Sequence, residues 1–184
     1  MEISRLTKHT DLKVFNQVAS LHKKSLKNTI ASTLSDSRLS KVYLYMVKEE
    51  ILQIIVATSE SNIIGSLSFR EHPKDTSLRN LIFLIYISLI GFISHPIVWI
   101  VELYFKIGLY RNIKSNVNIV TLFVDLNYQN KKIGQALINF VINEYKNPIT
   151  VDTRSNNNSA INFYKKNKFE IVNSNKKNTV LNRG

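Results

Sequence analysis

Val124-Asp125-Leu126-Asn127-Tyr128-Gln129-Asn130-Lys131-Lys132-Ile133-Gly134-Gln135-Ala136-Leu137 is the stretch on which the reading of this chain turns. The apolar run at residues 119–124 closes into it and reads as a buried strand. A polar, basic loop follows. Over residues 131–145 the spacing predicts a helix with Ile133, Ala136, Leu137, Phe140 and Val141 inward. Strand, loop and helix in that order leave backbone N–H groups at the helix start, where the helix dipole favours negative charge. Lys131 and Lys132 stand beside them, Gly134 lets a phosphate approach the backbone, and Ala136 keeps the next turn small. The residues alone leave two readings open: an anion site, or an ordinary strand–helix connection with solvated lysines.

Outward from this block the pattern is mixed α/β. Residues 2–6 read as a first strand, and Thr10-Asp11 offers a cap for a helix running to about Leu26 with Leu12, Phe15, Val18, Ala19 and Leu21 on its apolar face. Residues 37–47 carry Leu39, Val42, Tyr43 and Met46 at helical spacing. The runs 51–58 and 63–69 are β-branched and separated by Ser59-Glu60-Ser61-Asn62, a hairpin signal. Beyond the central block, 149–153 reads as a strand, 159–167 as a helix, and 169–172 with 179–181 as a closing strand pair.

Composition narrows the classes. At 184 residues with 44% hydrophobic and 21% charged, the chain is long enough for one domain with its own core, over residues 1–184. Lys and Arg number 25 against 13 Asp and Glu, a net +12 that calls for an anionic partner such as nucleic acid, a membrane face or a polyphosphate cofactor. Ten of the basic residues against three acids lie from Lys131 onward. There is no cysteine, which excludes disulfides, thiolate metal sites and a cysteine nucleophile. The first fifteen residues lack the apolar run of a secretion signal, so a cytoplasmic location is expected, and the wealth of Asn, Lys and Ile suggests an AT-rich bacterial genome.

A second block, Val151 to Phe169, contains Asn157, Ala160, Phe163, Tyr164 and Phe169. Together the two blocks resemble the GCN5-related N-acetyltransferase (GNAT) superfamily. The first is similar to its acetyl-CoA signature, Val-x-Pro-x-Tyr-(Arg/Gln)-x-x-Gly-x-(Gly/Ala), through Val124, Tyr128, Gln129, Gly134 and Ala136. Leu126 stands where proline is usual, and Lys132 where the first glycine is. The second is similar to Asn-x-x-Ala-x-x-Phe-Tyr-x-x-x-Gly-Phe, with Lys168 at the glycine position. The blocks occur in the family's order, and the resemblance covers nearly the whole chain.

The resemblance implies a GNAT fold, a mixed, mostly antiparallel twisted sheet flanked by helices, and an acetyl-CoA-dependent acyltransferase that needs no metal. It implies that Gln129, Asn130, Lys131, Lys132, Ile133, Gly134, Gln135 and Ala136 cradle the coenzyme's pyrophosphate. It places pantetheine against the main chain of Leu122, Phe123 and Val124, in a gap between strands ending at Val124 and Thr153. Asn157, Ala160, Phe163 and Tyr164 are further coenzyme contacts, and Tyr164 is the expected donor of a proton to the leaving thiolate. The general base stays open. Residues 117–124 carry no carboxylate, with Asn118 and Thr121 their only polar side chains, which leaves Glu71, His72, His22 or water-mediated deprotonation.

Between the third and fourth strands, residues 75–115 or so read as an apolar helical insertion whose residues 81–101 hold no formal charge. Pro96, Ser88, Gly91, Ser94 and His95 interrupt that run, and a single crossing would separate the strands on either side of it, so a simple membrane span is not expected. Packing on its own domain, peripheral membrane contact or homodimer formation through residues 81–110 are the readings kept, with a membrane-associated location following from the second. The expected acceptor is a primary amine on a small molecule, an amino sugar or envelope precursor among them. A non-catalytic acyl-CoA-binding or regulatory module is the alternative. Nucleic acid is not expected as a partner: the basic residues are not interleaved with aromatics, and no helix-turn-helix is seen.

Overall fold

A computed structural model describes residues 1–26, 30–71, 115, 117–146 and 148–184. All of the expected insertion except Ser115 lies outside the described residues, as do His72 and any membrane or dimer contact through residues 81–110. In chain order the elements are β1 (Glu2–Arg5), α1 (Leu12–Ser25), α2 (Ile30–Thr33), α3 (Asp36–Lys48), β2 (Gln53–Ser59), β3 (Asn62–Glu71), β4 (Val117–Val124), a 3-10 turn (Leu126–Tyr128), α4 (Ile133–Glu144), β5 (Ile149–Arg154), α5 (Asn158–Lys166), β6 (Glu170–Ser174) and β7 (Asn178–Arg183). The strands form one mixed sheet in the order β1-β2-β3-β4-β5-β7-β6, flanked by helices, which is the expected fold class. Contacts divide the chain into two compact units: Met1–Glu71 with Ile119–Lys146, and the described part of His72–Asn118 with Asn147–Gly184.

In the first unit, helix starts follow from short polar side chains. Asp11 caps α1 by accepting from the Lys13 N–H at 2.6 Å, and Ser35 caps α3 by accepting from the Arg38 N–H at 3.3 Å. Phe15, Val18, Ala19 and Leu21 of α1 join Leu39, Tyr43 and Val47 of α3 and Ile54 and Val56 of β2 in the core, and Lys23 pairs with Asp36 at 2.8 Å. The second strand begins at Gln53 rather than Ile51. The chain leaves α3 through Glu50 at φ 56°, and the Ile51 N–H turns back to the Met46 carbonyl at 2.9 Å, so Ile51 ends the helix instead of opening the strand. The hairpin turn is two residues, Glu60 and Ser61, both at positive φ, which matches the right-handed twist of β2 and β3.

Two readings near the centre change. Strand β4 is not buried throughout, since Val120 is 44% exposed. Helix α4 begins at Ile133, two residues later than its apolar period suggests, because Lys132 is left-handed and cannot continue a helix backwards. Its buried face is Ile133, Leu137, Ile138 and Val141, while Ala136 and Phe140 are half-buried. Phe140 lies instead beneath the Arg5 guanidinium, 6.0 Å from the ring centre, where Arg5 also pairs with Glu144.

In the second unit β5 pairs antiparallel with β7, from Ile149 opposite Arg183 to Arg154 opposite Asn178, and β7 pairs antiparallel with β6. The start of β4 is tied to β5 by side chains. Asn118 Nδ2 donates to Thr150 Oγ1 at 3.1 Å, and the Ser115 hydroxyl donates to the Pro148 carbonyl at 3.0 Å.

Candidate functional site

The first part of the site begins at a bulge. The register of β2 and β3 shifts where Ala57 faces Gly65 and Thr58 faces Ile63, leaving Ile64 unopposed. The Ile64 carbonyl accepts from the Asp125 N–H at 2.9 Å and so holds the end of β4. Beside it, a Cβ on Gly65 would lie 3.0 Å from Ile133 Cγ2 and 3.2 Å from Leu137 Cδ1. A bare backbone there lets the first turns of α4 sit close against β3.

Between β4 and α4 the chain makes the 3-10 turn, which Asp125 caps by accepting from the Asn127 N–H at 2.9 Å. Leu126 is the first residue of that turn, a position whose N–H lies outside the turn's own hydrogen bonds and where proline is generally accommodated. Leucine therefore keeps the turn that proline would make. Asn130 and Lys132 then adopt φ 61° and φ 60°. Asparagine tolerates this left-handed region, whereas lysine is strained there by about 1 kcal/mol. Glycine would be free of that strain, which explains why glycine is usual at this point of the signature.

Helix α4 opens differently from its neighbours. Asp11, Ser35 and Asn157 close α1, α3 and α5 with side-chain oxygens, but Lys132 makes no side-chain cap. The bond from the Ala136 N–H to the Lys132 carbonyl, at 3.0 Å, opens α4, and the amides of Ile133 and Gly134 before it have no acceptor within the helix. Lys131 and Lys132 are exposed, with the Lys131 ammonium 4.7 Å from the centre of the Tyr128 ring. No carboxylate occurs between residues 126 and 143. This donor set suits a diphosphate. Upstream, Phe123 is buried, and Leu122 and Val124 are half-buried.

The second part lies in the other unit. Asn157 Oδ1 accepts from the Ala160 N–H at 3.1 Å, so the Asn-x-x-Ala spacing is a helix cap. At the far end of α5 the Lys168 N–H bonds the Lys165 carbonyl at 3.0 Å and the Phe169 N–H bonds the Tyr164 carbonyl at 3.1 Å, with Lys168 at φ 64°. That is a left-handed helix stop of the kind glycine usually makes, and it brings the Phe169 ring to 5.5 Å from that of Tyr164. Tyr164 is buried, and Phe163 is half-buried with its ring 5.3 Å away. Burial, with the charge of Asp152 adding to it, pushes the Tyr164 phenol above its ordinary range. Asp152 is the neighbour of Tyr164 that the sequence reading passed over. Its alternation on β5 with Thr150 and Arg154 was the available signal, but nothing local marks it as close to Tyr164.

The base candidates separate. His22 is a core residue, 2% exposed, with Nδ1 2.5 Å from the Tyr43 hydroxyl and its ring edge against Phe123. Burial depresses its pKa to about 4, which makes it a poor acceptor for an ammonium proton. Glu71 lies where Tyr145 ends α4, and its Oε1 accepts from Gln53 Nε2 and from the Tyr145 hydroxyl, each at 2.7 Å. The twelve residues of α4 set it roughly 18 Å along the helix from the amides at the other end. An open depression lined by Glu2, Thr58, Ser59 and Glu60 carries carboxylates and none of the expected site residues, so it does not suit a diphosphate.

A family model for an acetyltransferase (GNAT) domain matches residues 50–171. No curated protein sequence matches the chain. Among solved structures, the chain is similar to the PaiA N-acetyltransferase of Thermoplasma acidophilum in complex with coenzyme A, at 12% identity and TM-score 0.61, covering 100% of this chain and 99% of that one. It is also similar to the ribosomal-protein-alanine N-acetyltransferase of Brucella melitensis, at 14% identity and TM-score 0.62, covering 100% and 99%. A third is NAA60 of Arabidopsis thaliana in complex with a bisubstrate analogue, at 15% identity and TM-score 0.60, covering 99% and 97%. At these identities the structural likeness concerns the fold.

Proposed function

The chain belongs to the acetyltransferase (GNAT) domain family, and on that premise we propose that, as one catalytic domain, it moves an acetyl group from acetyl-coenzyme A to a primary amine of a small molecule, an amino sugar or envelope precursor among them. The observation that carries this reading is the start of α4: a helix closed by no side chain, preceded by left-handed turns and flanked by two exposed lysines.

Bound acetyl-coenzyme A supplies a thioester carbonyl open to attack by an amine. In this reading the main chain of residues 129–136 holds the diphosphate, and Leu122, Phe123 and Val124 offer main-chain groups to pantetheine. Asn157 and Ala160 set the start of α5, with Phe163 beside Tyr164. Tyr164 gives its proton to the departing sulfur as the C–S bond breaks. The raised pKa keeps the phenol protonated at neutral pH, as a donor must be. For the amine's proton, water and His72, which lies outside the described residues, both stay open, since burial makes His22 a poor acceptor and Glu71 is engaged by Gln53 and Tyr145. The alternative of a non-catalytic module rested on two missing glycines. Lys132 and Lys168 keep the left-handed conformations those glycines would have, so the turns themselves give it no support.

Thiol release against a panel of amines tests the reaction, with Tyr164→Phe beside the unsubstituted chain. The variant is expected to lose about 100-fold in kcat while its coenzyme affinity stays within about twofold. Equal losses in both would sink the proton-donor role. Coenzyme binding with no turnover on any amine would favour the non-catalytic module.

A further inference from the structure

Strand β6 is the outermost strand on one side of the sheet. Among the described residues it pairs with β7 alone, so along its outer side N–H and carbonyl groups stand without a strand partner. Its two apolar residues, Ile171 and Val172, are 45% and 48% exposed. The register with β7 shifts between Ile171 and Asn173, which leaves Val172 with no residue opposite it. The other edge strand, β1, is four residues long, and its one apolar residue, Ile3, is half-buried. Lysines stand at both ends of β6. Lys165, Lys166 and Lys168 precede it and Lys176 and Lys177 follow it, all exposed except the half-buried Lys177. Glu170 is the only acid from Thr153 to the end of the chain.

Lysines on an edge commonly repel neighbouring strands. Here the repulsion is selective. A second copy laid antiparallel along β6 would bring Lys168 of one chain beside Lys176 of the other, and a parallel copy would set each lysine against its own counterpart. Single-stranded nucleic acid would find no aromatic among the exposed large hydrophobic residues to stack on. An acidic extended chain meets neither obstacle. It would satisfy the open main-chain groups, cover Ile171 and Val172, and set carboxylates against lysines at both ends. We propose that β6 is a docking edge for an extended acidic segment of a partner protein, which joins the sheet as an added strand. Main-chain pairing supplies affinity that depends little on sequence, and the flanking charges select the partner. Strand β6 carries none of the residues assigned to the coenzyme, so this surface does not depend on that reading.

The test uses the full chain and short labelled peptides of alternating valine and threonine. One is flanked by glutamates, one by lysines, and a third is the glutamate peptide with its central backbone nitrogens methylated. Fluorescence anisotropy should show the glutamate peptide binding about tenfold more tightly than the lysine peptide. Methylation should weaken it about tenfold, because the main-chain donors are gone. The double substitution Lys168→Glu with Lys176→Glu should reverse the order of the two flanked peptides. Should that variant not fold, Lys176→Glu alone, in the link between β6 and β7, should still cost the glutamate peptide about threefold. Amide hydrogen exchange should show new protection at residues 170–174. No binding of the glutamate peptide, binding indifferent to methylation, or protection elsewhere each overturns the proposal. A dimer that the peptide dissociates would give the edge to a second copy instead, and an oligothymidylate that displaces the peptide equally well would give it to nucleic acid.

Discussion

His22 and Tyr43 are a buried titratable pair of the first unit, joined at 2.5 Å in the core, where the lowered pKa of His22 ill suits it to take a proton from an ammonium. Their chemistry appears in stability instead. Unfolded, the imidazole takes up a proton below about 6.5, whereas burial holds it neutral in the folded chain down to about 4. Between those values the unfolded chain binds more protons, so stability is full above about pH 6.5 and declines with acid by about 3 kcal/mol by pH 4. Denaturant unfolding across that range, for the unsubstituted chain and His22→Gln, checks this: the variant should lose most of the slope, and an unchanged slope would assign it to another group. Single residues were also where sequence reading was most uneven. Asn157, Tyr164 and Phe169 stand out through the resemblance to the family's second motif, whose fixed spacings the structure traces to a helix cap and a helix stop. Asp152 does not, because its influence on Tyr164 crosses from a strand to a helix.

Helix α4 shows what an element inherits from its neighbours. Its period is visible in the sequence, but its start is decided by Lys132 turning left-handed, and its seat by Gly65, sixty-seven residues upstream of Lys132. Gly65→Val should therefore push Ile133 and Leu137 off β3. The expected cost is about 2 kcal/mol in denaturant unfolding, with coenzyme affinity falling several-fold because the amides at the helix start move together. A destabilised variant that binds coenzyme unchanged would show that the seat on β3 does not position those amides. The strand at residues 51–58 is the matching case of an overreached boundary: Ile51 looks like strand by its β-branched side chain, yet its N–H is committed to the Met46 carbonyl. Local propensity loses to an existing helix that needs its last carbonyls satisfied.

Across the molecule, +12 of net charge is concentrated late, with ten basic residues against three acids from Lys131 onward. Coenzyme should accordingly protect the chain against heat in a salt-dependent way. At about 100 times its dissociation constant it should add about 2.7 kcal/mol of apparent stability, and most of that gain should vanish when ionic strength rises from about 0.05 M to about 0.5 M at fixed coenzyme. Thermal unfolding with and without coenzyme at the two salt levels reads this directly, and a salt-independent shift would argue against an electrostatic hold. Among the described residues no helix is long and apolar enough to cross a membrane, and no cluster of His, Asp and Glu could hold a metal ion.

What the sequence determined by itself was whatever short-range spacing encodes: the mixed α/β class, the strand–loop–helix block with its basic start, the helix bearing Tyr164, and the family to which both blocks point. These depend on contacts within about one turn or one hairpin, so neighbouring letters carry them. Only tertiary structure decided that lysines hold the left-handed turns, that Gly65 makes room for α4, that His22 is a neutral core residue, and that Glu71 is held by Gln53 and Tyr145 at the far end of α4. Each of those is set by which distant atoms come within a few ångströms, and residue order alone does not record that distance.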